Sequence, residues 1–130
     1  MRHGASSRVP ADRSSAQLQL VRAEEKLGAA RKIAAIDAEI AYVTAYDAMR
    51  IAVTAHMLSL GYRVPGIARA HEAVGSYAEA MISSPSTFEY QRIRRRRNKS
   101  EYDDITIGRA DLAADLAHAE AIIQAVRATL

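Results

Sequence analysis

The densest concentration of chemically active side chains in this 130-residue sequence is the stretch RIRRRRNKSEYDD, from Arg92 to Asp104. Between Arg92 and Lys99 it carries six basic residues and no acid, while the rest of the chain holds 12 basic and 15 acidic residues, so the net charge of +3 owes its sign to this one place. A concentrated cationic patch on an otherwise acidic body points to an anionic partner at that patch. At 100° per residue, four consecutive arginines, Arg94, Arg95, Arg96 and Arg97, fan over about 300° of a helix, so at least one guanidinium must face the body of the protein or a partner. A guanidinium so placed needs a carboxylate, a carbonyl or a phosphate, because an unpaired buried cation is very costly. Spacings of three and four place Arg94, Arg97, Asn98, Glu101 and Tyr102 on one strip. Guanidinium, amide, carboxylate and phenol together make a polar site and not a packing stripe. Arg92, Arg95 and Arg96 read more simply as solvated or as paired with acids of neighbouring helices. With Lys99, Arg95 and Arg96 also belong to the basic surface that an anionic partner would meet.

Other candidate residues are sparse. Asp47 and Arg50 form a polar pair at three-residue spacing in an apolar segment, and two readings stay open. They make an intrahelical ion pair, or Asp47 orients Arg94 or Arg97 from across the bundle. His56, His71 and His118 each sit among alanines or apolar residues, where a hydrogen-bonded structural histidine is the simpler reading, and no pair has metal-site spacing. The sequence contains no cysteine, which excludes disulfide scaffolds, thiolate metal sites and cysteine nucleophiles together. No cofactor or metal is expected. One Phe, six Tyr and no Trp offer little platform for stacking bases, so contact with any nucleic acid would run mainly through phosphate.

These residues must be positioned by helices. Alanine occupies 27 positions, Gly and Pro together nine, and Arg outnumbers Lys 15 to 3, a composition suited to an all-α chain. Residues 1–14 are rich in Arg, Ser, Gly and Pro without periodicity and read as a disordered basic tail, leaving 15–130 as one domain. Leu18, Val21, Leu27, Ala30 and Ile33 predict a first helix ending near Ile36, with Gly28 a weak point inside it. Asp37 is placed to cap a second, along which Ile40, Val43, Met49, Val53, Met57 and Leu60 run until Gly61 ends it. Tyr42, Tyr46 and Ile51 widen its apolar surface, as expected of a central helix. Ile67, Ala70, Val74, Tyr77, Ala78 and Met81 mark a third helix. Pro85 opens a fourth that carries Phe88, Ile93 and the arginines until Asp103 and Asp104. A fifth, from Arg109, shows the cleanest pattern in Leu112, Leu116, Ala119, Ile123, Val126 and Leu130. Short connections favour an antiparallel up-and-down bundle of four to five helices. The longest strongly apolar stretch, Ile51 to Leu60, is far below the roughly 20 residues of a membrane span, and a cytoplasmic location is expected.

The string RRRRNKSEYDD, preceded by AYDAMRIAVTAHMLSLGYRVPGIARAHEAV, resembles the HEPN superfamily of small helical domains, above all its stand-alone bacterial branch. The resemblance spans roughly residues 16 to 130. It implies a helical bundle that pairs as a homodimer and brings two copies of the arginine motif into a basic cleft. It also implies RNA binding, and for many members metal-independent ribonuclease activity or a toxin–antitoxin pairing with a nucleotidyltransferase. With four residues intervening after Arg97, namely Asn98, Lys99, Ser100 and Glu101, the active family carries histidine; here Tyr102 stands in its place. A phenol titrating near 10 is a poor base at neutral pH where an imidazole near 6.5 is a good one, and losing that help costs on the order of 10² to 10⁴ in rate. The resemblance therefore implies a dimeric RNA-binding or regulatory component with a degenerate catalytic motif. A ribonuclease toxin using Arg97 and Tyr102 is the alternative, and a structural helical adaptor the second.

Overall fold

A computed structural model describes residues 7–63, 70–102 and 106–130; the side chains of Ser7, Glu101 and Tyr102 lie outside the described residues. Asp12 opens the first helix, α1 (Arg13–Ile33), by accepting the backbone N–H of Ser15 at 3.0 Å. This satisfies one of the donors that a helix start leaves bare. Its buried residues are Ala16, Leu20, Ala23, Leu27 and Ala30. Leu18 is 70% exposed and Val21 is exposed as well, which corrects the expected stripe. Leu27 and Ala30 are buried as expected; in the first half of the helix Ala16, Leu20 and Ala23 take the inward face in place of Leu18 and Val21, with the alanines letting α1 lie close against its neighbour.

That neighbour is α2 (Ala38–Ser59), capped by Asp37, whose carboxylate accepts from the N–H of Ile40 at 3.0 Å. Gly61 follows its end with φ of 84°, the left-handed conformation that glycine adopts without steric cost. The expected start and stop of this helix are both present. Tyr42, Tyr46, Met49, Val53 and Met57 are fully buried, and α2 touches α1, α5, α3 and the helix carrying the arginines. Ile40 and Leu60, expected in the core, are exposed at its two ends.

The remaining elements are α3 (Ala70–Met81), a 3-10 turn at Pro85–Glu89, α4 (Tyr90–Tyr102) and α5 (Arg109–Arg127). Pro85 opens the 3-10 turn, not α4 itself. The fifth helix buries Leu112, Leu116, Ala119, Ile123 and Val126 as its spacing predicts, together with Asp115 and Ile122. The fold is all-α apart from one two-residue antiparallel ladder among the described residues, β1 (Ser7–Arg8) against β2 (Tyr62–Arg63). Arg8 lies 4.5 Å over the ring of Tyr62 in that ladder. Of the expected disordered tail, residues 1–6 lie outside the described residues, whereas residues 7–14 pair, cap and begin α1. The helical periodicity of 15–33 gave no sign of this, because a two-residue ladder and a cap have no period.

Helix directions follow from which residues meet. Arg31 pairs with Glu120 and Arg127 with Glu24, while the Arg13 guanidinium donates to the Leu130 carbonyl at 2.7 Å, so α1 and α5 run antiparallel. Arg92 meets Asp115 and Arg96 meets Asp111, so α4 and α5 do too. At α3 the sense changes. Tyr46 meets His71 and His56 meets Tyr77, two pairs that advance together, so α3 runs in the direction of α2 and not against it. The up-and-down expectation is corrected there, since α3 lies parallel to α2. Residues 64–69, including the expected helical position Ile67, lie outside the described residues, as do Asp103 and Asp104.

Candidate functional site

The arginine run divides by helix geometry into two groups with different partners. Arg92 and Arg96 turn towards α5. The Arg92 guanidinium donates to both carboxylate oxygens of buried Asp115, at 2.6 and 3.1 Å, and to Glu89 at 2.8 Å. The Tyr42 hydroxyl donates to Asp115 at 2.6 Å, so one carboxylate ties α2, α4 and α5 together. Burial alone would raise the Asp115 pKa; the hydrogen bonds from Arg92 and Tyr42, with the charge of Arg92, reverse this and hold it below the usual carboxylate value. Arg96 pairs with Asp111 at 2.7 Å in a more exposed position. Pairing with neighbouring acids is what the sequence suggested for these two. Arg95 and Lys99 are exposed.

Arg94 and Arg97 turn the other way, towards α2 and α3. The Arg97 guanidinium carbon lies 5.8 Å from the centre of the Tyr46 ring, and its Nη1 approaches Asn98 Oδ1 at 3.4 Å. This is the inward-facing arginine that four consecutive positions require. Arg94 Nε donates to Gln91 Oε1 at 2.8 Å, and Gln91 in turn donates to the Glu72 carbonyl on α3 at 2.9 Å. Gly75 lets the two helices approach this closely: a Cβ there would fall 2.8 Å from Tyr90 Cδ1 and run into the Gln91 amide.

Tyr46 forms the floor of this second group. Its hydroxyl lies 2.7 Å from His71 Nδ1, the two rings stack with centroids 5.8 Å apart, and Tyr90 meets Tyr46 edge-on at 5.7 Å. The Tyr90 hydroxyl is buried beside Tyr46 without a hydrogen bond of ordinary geometry. Asp47 and Arg50 rise from the same turn of α2, 4.0 Å apart, so the ion pair of Asp47 is the intrahelical one.

The electrostatics converge on the imidazole. His71 is pushed below the ordinary histidine value of 6.5 first by partial burial of its ring against α2, then by Arg50 and Arg97, with Asp47 opposing and Arg94 adding a smaller push. Burial raises the Tyr46 phenol, against smaller opposing effects that include Arg50, Arg94 and Arg97. At neutral pH the centre is therefore a neutral imidazole and a neutral phenol, with the Arg97 guanidinium over the Tyr46 ring and Arg50 and Arg94 acting on both groups electrostatically.

Of the expected site residues, the structure brings together Arg94, Arg97, Asn98 and Arg50 with Asp47, and leaves Arg95 and Lys99 at the exposed edge. Arg96 faces α5 instead, because it is two positions, or about 200°, from Arg94. The Glu101 and Tyr102 side chains lie outside the described residues. Sequence reasoning missed the Tyr46–His71 pair. Tyr46 was legible only as part of a wide apolar face; its being one residue before Asp47 and four before Arg50 is the signal that places it beside polar groups. His56 and His118 take structural roles: His56 is buried with Nδ1 2.7 Å from the Tyr77 hydroxyl, and His118 Nδ1 is 3.0 Å from Ser86 Oγ in the 3-10 turn. Among the described residues no cluster of three or more His, Asp or Glu is placed to hold a metal ion. No described helix is long and apolar enough to cross a membrane. No family model, curated protein or solved structure matches the chain.

Proposed function

We propose that this chain is an HEPN-type RNA-binding module, a homodimer that acts with a nucleotidyltransferase-type partner in a toxin–antitoxin-like system, and that it holds RNA phosphates at Arg94, Arg97 and Arg50. The observation that carries this reading is the Arg97 guanidinium over the Tyr46 ring, with Arg50 and Arg94 acting electrostatically on the same Tyr46–His71 pair, while Arg92 and Arg96 are paired with carboxylates of α5. Guanidinium groups present a planar fork of donors that matches phosphate oxygens, and a cluster of them beside an aromatic floor suits a phosphodiester better than an acidic protein side chain. Arg95 and Lys99 at the exposed edge extend the positive field along the strand. The second reading, a metal-independent ribonuclease, is favoured by one specific observation: a neutral histidine sits among these arginines although position 102 is tyrosine.

Binding of a fluorescent single-stranded RNA, followed by anisotropy across a salt series, tests the proposal. Each phosphate contact contributes a slope of about −0.7 in log K against log salt, so three contacts give about −2. Replacing Arg94 and Arg97 together with Gln removes about two-thirds of that slope. A flat salt response from the unaltered protein would show that RNA phosphate is not what the cluster binds.

A further inference from the structure

A cleft of about 650 Å³ lies between the first residues of the fold and α2, and no residue of the arginine run lines it. We propose that this cleft is a binding site for a small organic acid, a monocarboxylate with an apolar body. The inference stands apart from the RNA-binding reading and shares only Arg50 with it.

One strip of α2 supplies part of the lining. Arg50, Thr54 and Leu58 follow one another at intervals of four, so their side chains lie along the same side of the helix. Residues 9–12 supply another part, and they are tied in place by their backbone. The Val9 N–H donates to the Gly61 carbonyl at 2.8 Å, the Asp12 N–H donates to the Leu58 carbonyl at 3.1 Å, and the ladder of β1 with β2 fixes the residues just before them. Gly61 permits this approach, because a Cβ there would fall 2.6 Å from the Val9 carbonyl oxygen. Gln19 of α1, with Tyr62 and Arg63 of β2, completes the lining. Walls anchored in this way lose little freedom when a ligand enters, which favours binding.

Half of the lining is apolar, and a cleft of this size with apolar walls and a few placed polar groups is the usual form of a small-molecule site. The polar groups differ in what they have left to give. Asp12 is engaged, its two oxygens accepting from the Ser15 N–H at 3.0 Å and the Ser15 hydroxyl at 2.9 Å. The Thr54 hydroxyl donates to the Ile51 carbonyl at 2.9 Å. Arg50 is held loosely: its contact with Asp47 is 4.0 Å long, and its Nε is buried without a hydrogen bond. Arg63 stands exposed on β2. Among the lining residues, two guanidinium groups against the one carboxylate of Asp12 leave one net positive charge. That balance matches a monoanion and opposes a cation. A planar fork of guanidinium donors suits a carboxylate, whereas a hydrocarbon would cover Arg50 and give it no acceptor.

The test titrates the full chain with octanoate, and with 1-octanol and octylammonium as neutral and cationic probes of the same chain length, reading affinity by calorimetry and location by amide NMR shifts. Octanoate is expected to bind at one saturable site, about tenfold or more tighter than either of the other probes, and to shift the amides of Thr54, Leu58 and Tyr62. Arg50→Gln should weaken octanoate by about tenfold. Arg63→Glu changes an exposed side chain and turns the net charge of the lining from positive to negative, so the preference should pass from octanoate to octylammonium. This exchange of preference is a gain that a misfolded variant would not show. Equal binding of octanoate and 1-octanol, no saturable binding of octanoate, shifts confined to α4, or an unchanged preference in Arg63→Glu would each overturn the proposal. None of these outcomes bears on whether the arginine run binds RNA.

Discussion

Replacing Asp115 with Asn should cost this protein much of its stability margin, and the structure gives the size. The carboxylate is 3% exposed, accepts from Tyr42 at 2.6 Å, and receives two bonds from Arg92. A hydrogen bond to a charged acceptor is worth about 1.5 to 3 kcal/mol. The ion pair itself is discounted, because the Arg92 side chain is 38% exposed and solvent screens it, leaving at most about 1 kcal/mol. Asn keeps the volume and part of the hydrogen bonding, so the expected loss is about 2 to 3 kcal/mol in urea unfolding. Tyr42→Phe, which removes one of the bonds and leaves the pair, should cost about 1.5 kcal/mol. Acid gives an independent reading. The folded pKa of Asp115 is lowered below 3.8, so its contribution is complete above that value and is lost as pH falls through the folded value. Stability of the unaltered protein should therefore fall more steeply below about pH 4 than that of Asp115→Asn. A variant within about 0.5 kcal/mol of the parent, with the same acid profile, would refute the view that this carboxylate ties three helices together.

Two further outcomes follow from the packing. His56 is buried beside Tyr77 and burial lowers its pKa below 6.5, so the stability it contributes is complete above that value and declines as pH falls through the folded value. His56→Gln should make the urea midpoint less sensitive to pH in that range, and an unchanged sensitivity would count against a neutral buried imidazole. Gly28 has open space around its Cβ position inside α1, so Gly28→Ala should stabilise by about 0.5 to 1 kcal/mol, whereas Gly75→Ala should destabilise by about 1 to 3 kcal/mol as α3 is forced from Tyr90 and Gln91. Thermal unfolding of the two variants should move in opposite directions.

Much of the helical order was legible because capping and periodicity are local. Asp37, Gly61 and the α5 pattern mark their elements from chemistry within a few residues. The inward face of α1 was legible in its second half, where Leu27 and Ala30 are buried, and not in its first, where Leu18 and Val21 are exposed and Ala16, Leu20 and Ala23 face α2 instead. The sense of α3 was hidden for another reason: a connection long enough to reverse the chain is also long enough to carry it back. At the site, the division of the arginines was half visible. Helix geometry forces one of the four inward, but the pairing of Arg96 with Asp111, like that of Arg92 with Asp115, depends on acids placed only once α5 is docked. The pairing of His71 with Tyr46 joins residues 25 apart on different helices and leaves no mark in either local pattern.

The central claim is that the arginine run holds two kinds of residue, one for the fold and one for a phosphate. Single Gln variants at Arg92, Arg94 and Arg97, each measured for RNA affinity and for urea midpoint, test it directly. Arg94→Gln and Arg97→Gln should each weaken RNA binding by about tenfold and lower its salt slope by about 0.7. Arg92→Gln should bind within about threefold of the parent and lose about 2 kcal/mol of stability, because it strands Asp115. If Arg92→Gln weakens binding as much as Arg94→Gln and Arg97→Gln do, or if the latter two bind RNA as the parent does, the division is wrong and so is the site built on it.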